Sequence, residues 1–183
     1  MSLEFQARIR RPLPLGDLVA GARGVEADLL GLTDVPAPVL VAGRRRDAGR
    51  VVDAGRPLGE DDLRSILVGP GVPDPLVEAV DDEAGPLVVV MPTAAGGGGL
   101  VFSPVRRPGA VVTALALALA AAIEGGGRFV DDDLQLAVAA GIDGDDPAAF
   151  VAATRLPPRS GTVADAVGAY LRQFEHLAGW HLI

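Results

Sequence analysis

Cysteine, lysine and asparagine are all absent from the 183 residues, and all 16 basic residues are arginine. Each absence removes a block of chemistry. Without cysteine the chain by itself forms no disulfide framework, thiolate nucleophile, cysteine-ligated zinc or iron–sulfur cluster. Without lysine it supplies no Schiff base, no Walker A phosphate loop, no kinase-type lysine and no Ser-x-x-Lys acylase. Aromatic residues are scarce at 4%, so the core has to be assembled mainly from Val, Leu and Ala, which offer less area per side chain than Phe or Trp. Missing Lys and Asn beside abundant Ala, Gly, Pro and Arg reads as the drift of a GC-rich bacterial genome rather than as selection for a task.

What is present bounds the size and charge of the problem. A 49% hydrophobic share over this length suffices for one domain with an appended subdomain. The formal net charge of −8 is unevenly spread: residues 1–56 carry nine Arg against seven acidic residues, and residues 57–183 carry seven against seventeen. An acidic chain repels phosphate backbones, so no nucleic-acid partner is expected. The N-terminal Met1-Ser2-Leu3-Glu4-Phe5 lacks a basic region followed by an apolar run, and no secretory signal is expected. The 16 uncharged residues from Pro108 to Ile123 fall short of the roughly 20 needed to span hydrocarbon. They predict a buried helix, no membrane association and a cytoplasmic protein.

The element pattern mixes two periods. Glu4 to Arg10 alternates, with Phe5, Ala7 and Ile9 on one face and Gln6, Arg8 and Arg10 on the other, as a half-buried strand does. Leu18, Ala22, Val25 and Leu29 then form a helical stripe, weakened by Gly21 and Gly24 and stopped at Gly31. Pro38 to Ala42 reads as a second strand that pairs with Val51-Val52 across an arginine-rich turn. Residues 55–85 read as a connector containing one short helix from Glu60 to Val68 and a helical turn from Pro75 to Val80.

Leu87 to Met91 and Leu100 to Ser103 predict a hairpin around the Gly96–Gly99 tract. Ala110 to Ile123 is apolar on every side and predicts a central helix, and Arg128 to Val130 returns as a strand. Beyond it, Asp132 or Asp133 is expected to cap a helix over 134–140, and Asp146-Pro147 to start another ending at Thr154. Thr162 to Asp165 resembles a capping box for a final helix ending at Gly179, with the stripe Val163, Val167, Tyr170, Phe174 and Leu177. The fold expected is α+β, a mixed or antiparallel sheet covered by helices. Its order of elements, β-α-β then β-β-α-β, resembles that of ferredoxin-like proteins. That likeness carries no function. Residues 1–133 form the expected sandwich core with its connector, and residues 134–183 a helical C-terminal extension packed on it.

Few constellations carry chemistry. Asp131, Asp132 and Asp133 are weak metal candidates, because helix capping accounts for Asp132, Asp133 and Asp146 and the loop beginning at Asp143 places Thr154 where a calcium loop needs Glu. His176 and His181 are five residues apart and do not share a helical face. None of Ser2, Ser65, Ser103 and Ser160 lies in Gly-x-Ser-x-Gly. The positive feature is Arg44, Arg45, Arg46, Arg50 and Arg56, planar donors suited to an anion or a protein partner, with pairing to Glu60–Asp62 as the alternative.

The reading that follows is a non-enzymatic, cytoplasmic interaction or regulatory module with no cofactor and no catalytic residue. Its partner would be a protein or a second copy of the chain. Small acidic proteins that neutralise bacterial toxins share this general character, although no motif ties the chain to them. The alternative is a small enzyme or anionic-ligand-binding protein using the three aspartates, with or without a divalent metal, and Arg106, Arg107 or Arg128.

Overall fold

The computed structural model describes residues 3–43, 45–47, 50–72, 77–81, 85–92, 99–142 and 146–180. In chain order the elements are strands β1 (Phe5–Arg8) and β2 (Leu13–Pro14), helix α1 (Leu15–Leu30), strands β3 (Val39–Ala42), β4 (Arg45–Asp47), β5 (Arg50–Asp53) and β6 (Arg56–Pro57), and helix α2 (Glu60–Ser65). They continue with β7 (Leu67–Val68), β8 (Val77–Asp81), β9 (Gly85–Pro92), β10 (Gly99–Pro104), helix α3 (Pro108–Glu124) and β11 (Arg128–Val130). Three short helices follow, α4 (Leu136–Ala139), α5 (Pro147–Thr154) and α6 (Val163–Leu171), and then a 3-10 turn over Glu175–Trp180.

The fold is α+β with antiparallel pairing. Seven strands form one sheet in the order β11-β1-β10-β9-β8-β3-β6, and β2-β7 and β4-β5 form two small ribbons. Alternation along β1 and the two residues after it sets the faces: Phe5, Ala7 and Ile9 are buried, while Arg8 and Arg10 are exposed. Against the buried face lies α3, whose thirteen consecutive residues from Ala110 to Ala122 are all buried. A helix is buried all round only if protein covers both its sides. Here β1, β9, β10 and β11 lie on one side and α1, α5 and α6 on the other. The alanines of α3 permit close approach by α1, where a Cβ placed on Gly21 would meet Ala120 Cβ at 3.5 Å.

Among the described residues the aromatic rings form two groups. Phe5 and Phe129, on neighbouring strands, have ring centroids 6.0 Å apart, and Phe129 meets Phe150 of α5 at 5.7 Å. Tyr170 and Phe174 pack edge to face at 5.6 Å. These rings join one end of the sheet to the helices that follow it. Each buried aromatic side chain removes roughly 150–250 Å² from water, which compensates locally for an alanine-rich interior.

Several expectations need correction. The segment over 75–80 is not a helical turn where it is described, since Val77–Asp81 is a strand held between β3 and β9. Val51-Val52 does not pair with the strand at Val39–Ala42: β3 lies between β8 and β6, and β5 pairs with β4 across the arginine-rich turn. The connector helix ends at Ser65 rather than Val68, because Leu67-Val68 pairs with Leu13-Pro14. The last helix stops at Leu171. Gln173 N–H and Phe174 N–H bond to Tyr170 and Leu171 carbonyls three residues back, which turns the chain before Phe174 and Leu177 are buried. No described helix is long and apolar enough to cross a membrane.

Candidate functional site

The three consecutive aspartates follow β11, and two of their carboxylates hold backbone. Asp131 accepts from Leu134 N–H at 2.9 Å and Leu136 N–H at 2.6 Å, closing the turn in which Gln135 adopts φ 53°. Burial pushes the Asp131 carboxyl above its usual range, and the backbone donors Leu136, Leu134 and Gln135 oppose that rise. Asp133 accepts from Glu4 N–H at 2.8 Å, fastening the start of β1. Neither Asp132 nor Asp133 is the N-cap, which is Gln135 without a side-chain cap bond; Asp131 holds the first helical N–H instead, and the helix is the single turn Leu136–Ala139 rather than 134–140. Among the described residues no group of three His, Cys, Asp or Glu side chains could hold a metal ion.

Other chemistry-bearing side chains are likewise occupied with structure. His176 donates from Nε2 to the Leu134 carbonyl at 2.6 Å, so both backbone groups of Leu134 are bonded to side chains. Tyr170 is buried with its hydroxyl 3.2 Å from Thr154 Oγ1, and burial pushes that hydroxyl's pKa up. Asp146 caps α5 through Ala149 N–H at 2.9 Å, and Thr162 caps α6 through Asp165 N–H at 3.1 Å. Ser103 Oγ is buried without a partner among the described residues. Asp143, Asp145 and His181 lie outside the described residues.

The arginines at 44–56 are distributed over two substructures. Arg44 lies outside the described residues. Arg45, Arg46 and Arg50 belong to the β4–β5 ribbon, in which Arg45 is opposite Asp53 and Arg50 opposite Asp47 in register. Arg56 is on the terminal strand β6 of the large sheet and forms a two-pronged ion pair with Asp62 at 2.6 and 2.8 Å. The Arg56 guanidinium, helped by Gly59 N–H, lowers the Asp62 carboxyl to about 2.

Among the described residues, two grooves are of interest. One, of about 540 Å³, runs between the end of α1 and the segment after α5, lined among others by Asp28, Leu32, Arg155 and Pro157. Its walls are tied by bonds from Leu156 N–H to the Leu29 carbonyl and from Arg159 N–H to the Gly31 carbonyl. The other, of about 470 Å³, is lined by Arg8, Ile9, Arg10, Gly127 and Arg128 at the β11 edge of the large sheet. Arg8 and Arg128 are register partners on adjacent strands. Gly127 is dictated by close approach, because a Cβ there would collide with the Arg8 carbonyl.

Alternation in the sequence places Arg8 and Arg10 outward, but nothing in it pairs residue 8 with residue 128. A second group with a local signal is Glu26. It stands four residues after Ala22 and three before Leu29, on the apolar stripe of α1, and it is buried with Oε1 3.1 Å from Thr113 Oγ1. Thr113 is the single polar residue between Pro108 and Ile123. Desolvation raises the Glu26 carboxyl to about 7, against the lowering effect of the Thr113 hydrogen bond. Comparisons with protein-family models, with curated proteins and with solved structures returned no match for this chain.

Proposed function

We propose that the protein is a non-enzymatic, cytoplasmic interaction or regulatory module, immunity-like in character, whose partner is another protein or a second copy of the chain. One observation carries this reading. Asp131, Asp133, Asp146 and His176, groups able to move protons or bind metals, are bonded to backbone of their own chain. The arginine-lined groove, by contrast, remains open at the sheet edge. Groups already holding loop and helix termini are poorly placed to act on a substrate. A strongly acidic surface over the later two-thirds of the chain favours rapid encounter with a basic surface.

Two further parts of the reading belong to the same proposal. The run β9-β10-α3-β11 supports the ferredoxin-like order of elements, and the helical segments after Val130 support treating residues 134–183 as an extension of the core. Affinity capture from native lysate with the tagged full chain tests the functional reading. One stoichiometric protein partner, or self-association of the chain, is expected; recovery of neither would overturn it.

The second reading, a binder of small anions, is favoured by the groove at Arg8, Arg10 and Arg128 rather than by the aspartates or by Arg106 and Arg107. A thermal-shift screen with phosphorylated and carboxylated metabolites and divalent cations discriminates the two. No change in Tm with any of them removes the second reading.

A further inference from the structure

Several arginine side chains are already engaged with their own chain. Arg11 donates to the Glu124 carbonyl at the end of α3, Arg23 pairs with Asp34, Arg56 with Asp62 and Arg64 with Glu60. Arg128 also has an interaction within the chain. Arg8 and Arg10, like Arg155, Arg159 and Arg172, are exposed and their side chains make no ion pair or hydrogen bond among the described residues; what sets them apart is their place in the groove. They stand two residues apart beside β11, the terminal strand of the large sheet, which has β1 on one side and no described strand on the other.

We propose that the groove of Arg8, Arg10 and Arg128 docks an acidic polypeptide segment in extended conformation, which adds alongside β11 and lays alternate carboxylates on the arginines. The proposal rests on the interaction-module reading and names the chemistry of the partner. Its geometry is that of strand addition, in which main-chain hydrogen bonds supply affinity and side-chain contacts supply register. Same-face residues of a strand repeat at roughly 7 Å, so an added strand offers carboxylates at that interval to Arg128 on β11, Arg8 at the end of β1 and Arg10 two residues beyond it. Guanidinium groups suit such carboxylates because their planar donors bind both oxygens together.

Charge selects the occupant. The chain as a whole carries −8 and repels a long polyanion over most of its length. A short acidic segment confined to the groove is screened from the remaining charge beyond a Debye length of about 8 Å at physiological salt. A nucleic acid also lacks the amide edge that would pair with β11. An arginine on a terminal strand, as Arg128 is, also deters edge-to-edge aggregation, and the test separates that role from docking.

The test uses the full chain and a fluorescein-labelled peptide of alternating Val and Glu, followed by anisotropy and by amide hydrogen exchange. Binding is expected to weaken about tenfold when Arg8→Gln and Arg10→Gln are combined, and similarly when Gln replaces Glu in the peptide. Peptide N-methylation should abolish binding, and exchange at Arg128–Val130 should slow when the unmodified peptide binds. Arg8→Lys with Arg10→Lys, which keeps the charges, should retain part of the affinity, and an unchanged Tm shows that the variants fold.

The proposal is overturned if the peptide does not bind, if the double Gln variant binds it as well as the parent, or if N-methylation has no effect. Complete displacement by millimolar inorganic phosphate overturns it too, because the groove is then a simple anion site. A lysate partner retained by the double Gln variant defeats the docking site and leaves the module reading intact. Peptide binding as described, with no protein captured from lysate and no self-association, supports the site and defeats the module reading.

Discussion

Replacing Glu26 by Gln should make the protein more stable at pH 8 and remove most of its stability loss between pH 4.5 and 7. Glu26 is buried between α1 and α3, where its carboxyl accepts a hydrogen bond from Thr113. In the unfolded chain it titrates near 4.5, and in the folded chain at about 7. Below pH 4.5 it is protonated in both states and has no effect on the difference between them. As pH rises, the unfolded chain releases the proton first, so the folded state binds more protons and stability falls. The fall is complete above the folded value of about 7. At about 1.36 kcal/mol for each pH unit separating the two values, the full loss is about 3 kcal/mol. Gln keeps the shape and the acceptor for Thr113 but cannot ionise.

Urea unfolding of both proteins at intervals from pH 4 to 8.5 measures the effect. The difference between the two curves isolates Glu26 from other groups. Asp131, also raised, contributes in the same direction, and Asp62, lowered, contributes stability that is lost at more acidic pH. The difference should be small at pH 4.5, grow through pH 6 and level off near pH 8 in favour of the Gln variant. A difference that does not change with pH, or parent stability that rises from pH 5 to 7, would refute the placement of Glu26 in a desolvated helix interface.

Four other measurements probe separate parts of the fold. Gly24→Ala in α1, where a Cβ meets nothing within 4 Å, should stabilise by about 0.5–1 kcal/mol in urea unfolding, the helix penalty of glycine. Gly31→Ala should destabilise by more than that amount: φ is 65°, and the new Cβ would press on the Pro157 carbonyl. Gln135→Gly should stabilise by about 1 kcal/mol, because φ 53° strains any residue with a side chain. Asp131→Asn should lower stability by roughly 1–3 kcal/mol at pH 5, where its amide cannot accept from both Leu134 and Leu136 N–H, and amide exchange at those two residues should accelerate.

Local signals suffice in this chain where one short segment contains the whole cause. Ala110 to Ala122 is apolar on every side, and that pattern alone requires burial on every side whatever the neighbours are. Gly31 ends α1 in the left-handed conformation, and Asp146-Pro147 starts α5, because each is a local backbone preference. The stripe from Val163 to Leu177 was also visible, but not the turn within it. That turn depends on contacts from distant elements, with Gln173 reaching the Thr154 carbonyl and His176 the Leu134 carbonyl. Leu67-Val68 fails as a helix end for the same reason, since its partner is Leu13-Pro14.

The candidate groove marks the boundary most clearly. Strand alternation determined that Arg8 and Arg10 would face away from Phe5, Ala7 and Ile9, because successive side chains in a strand point to opposite faces. Only the tertiary structure decided that β1 lies between β10 and β11, which places Arg128 opposite Arg8 across 120 residues of chain. Glu26 and Thr113 divide in the same way: each is legible as a polar interruption in an apolar pattern, while their meeting is set by how α1 crosses α3. Period and composition are properties of short segments. Pairing follows from which arrangement of whole elements buries the most apolar surface with its polar groups satisfied.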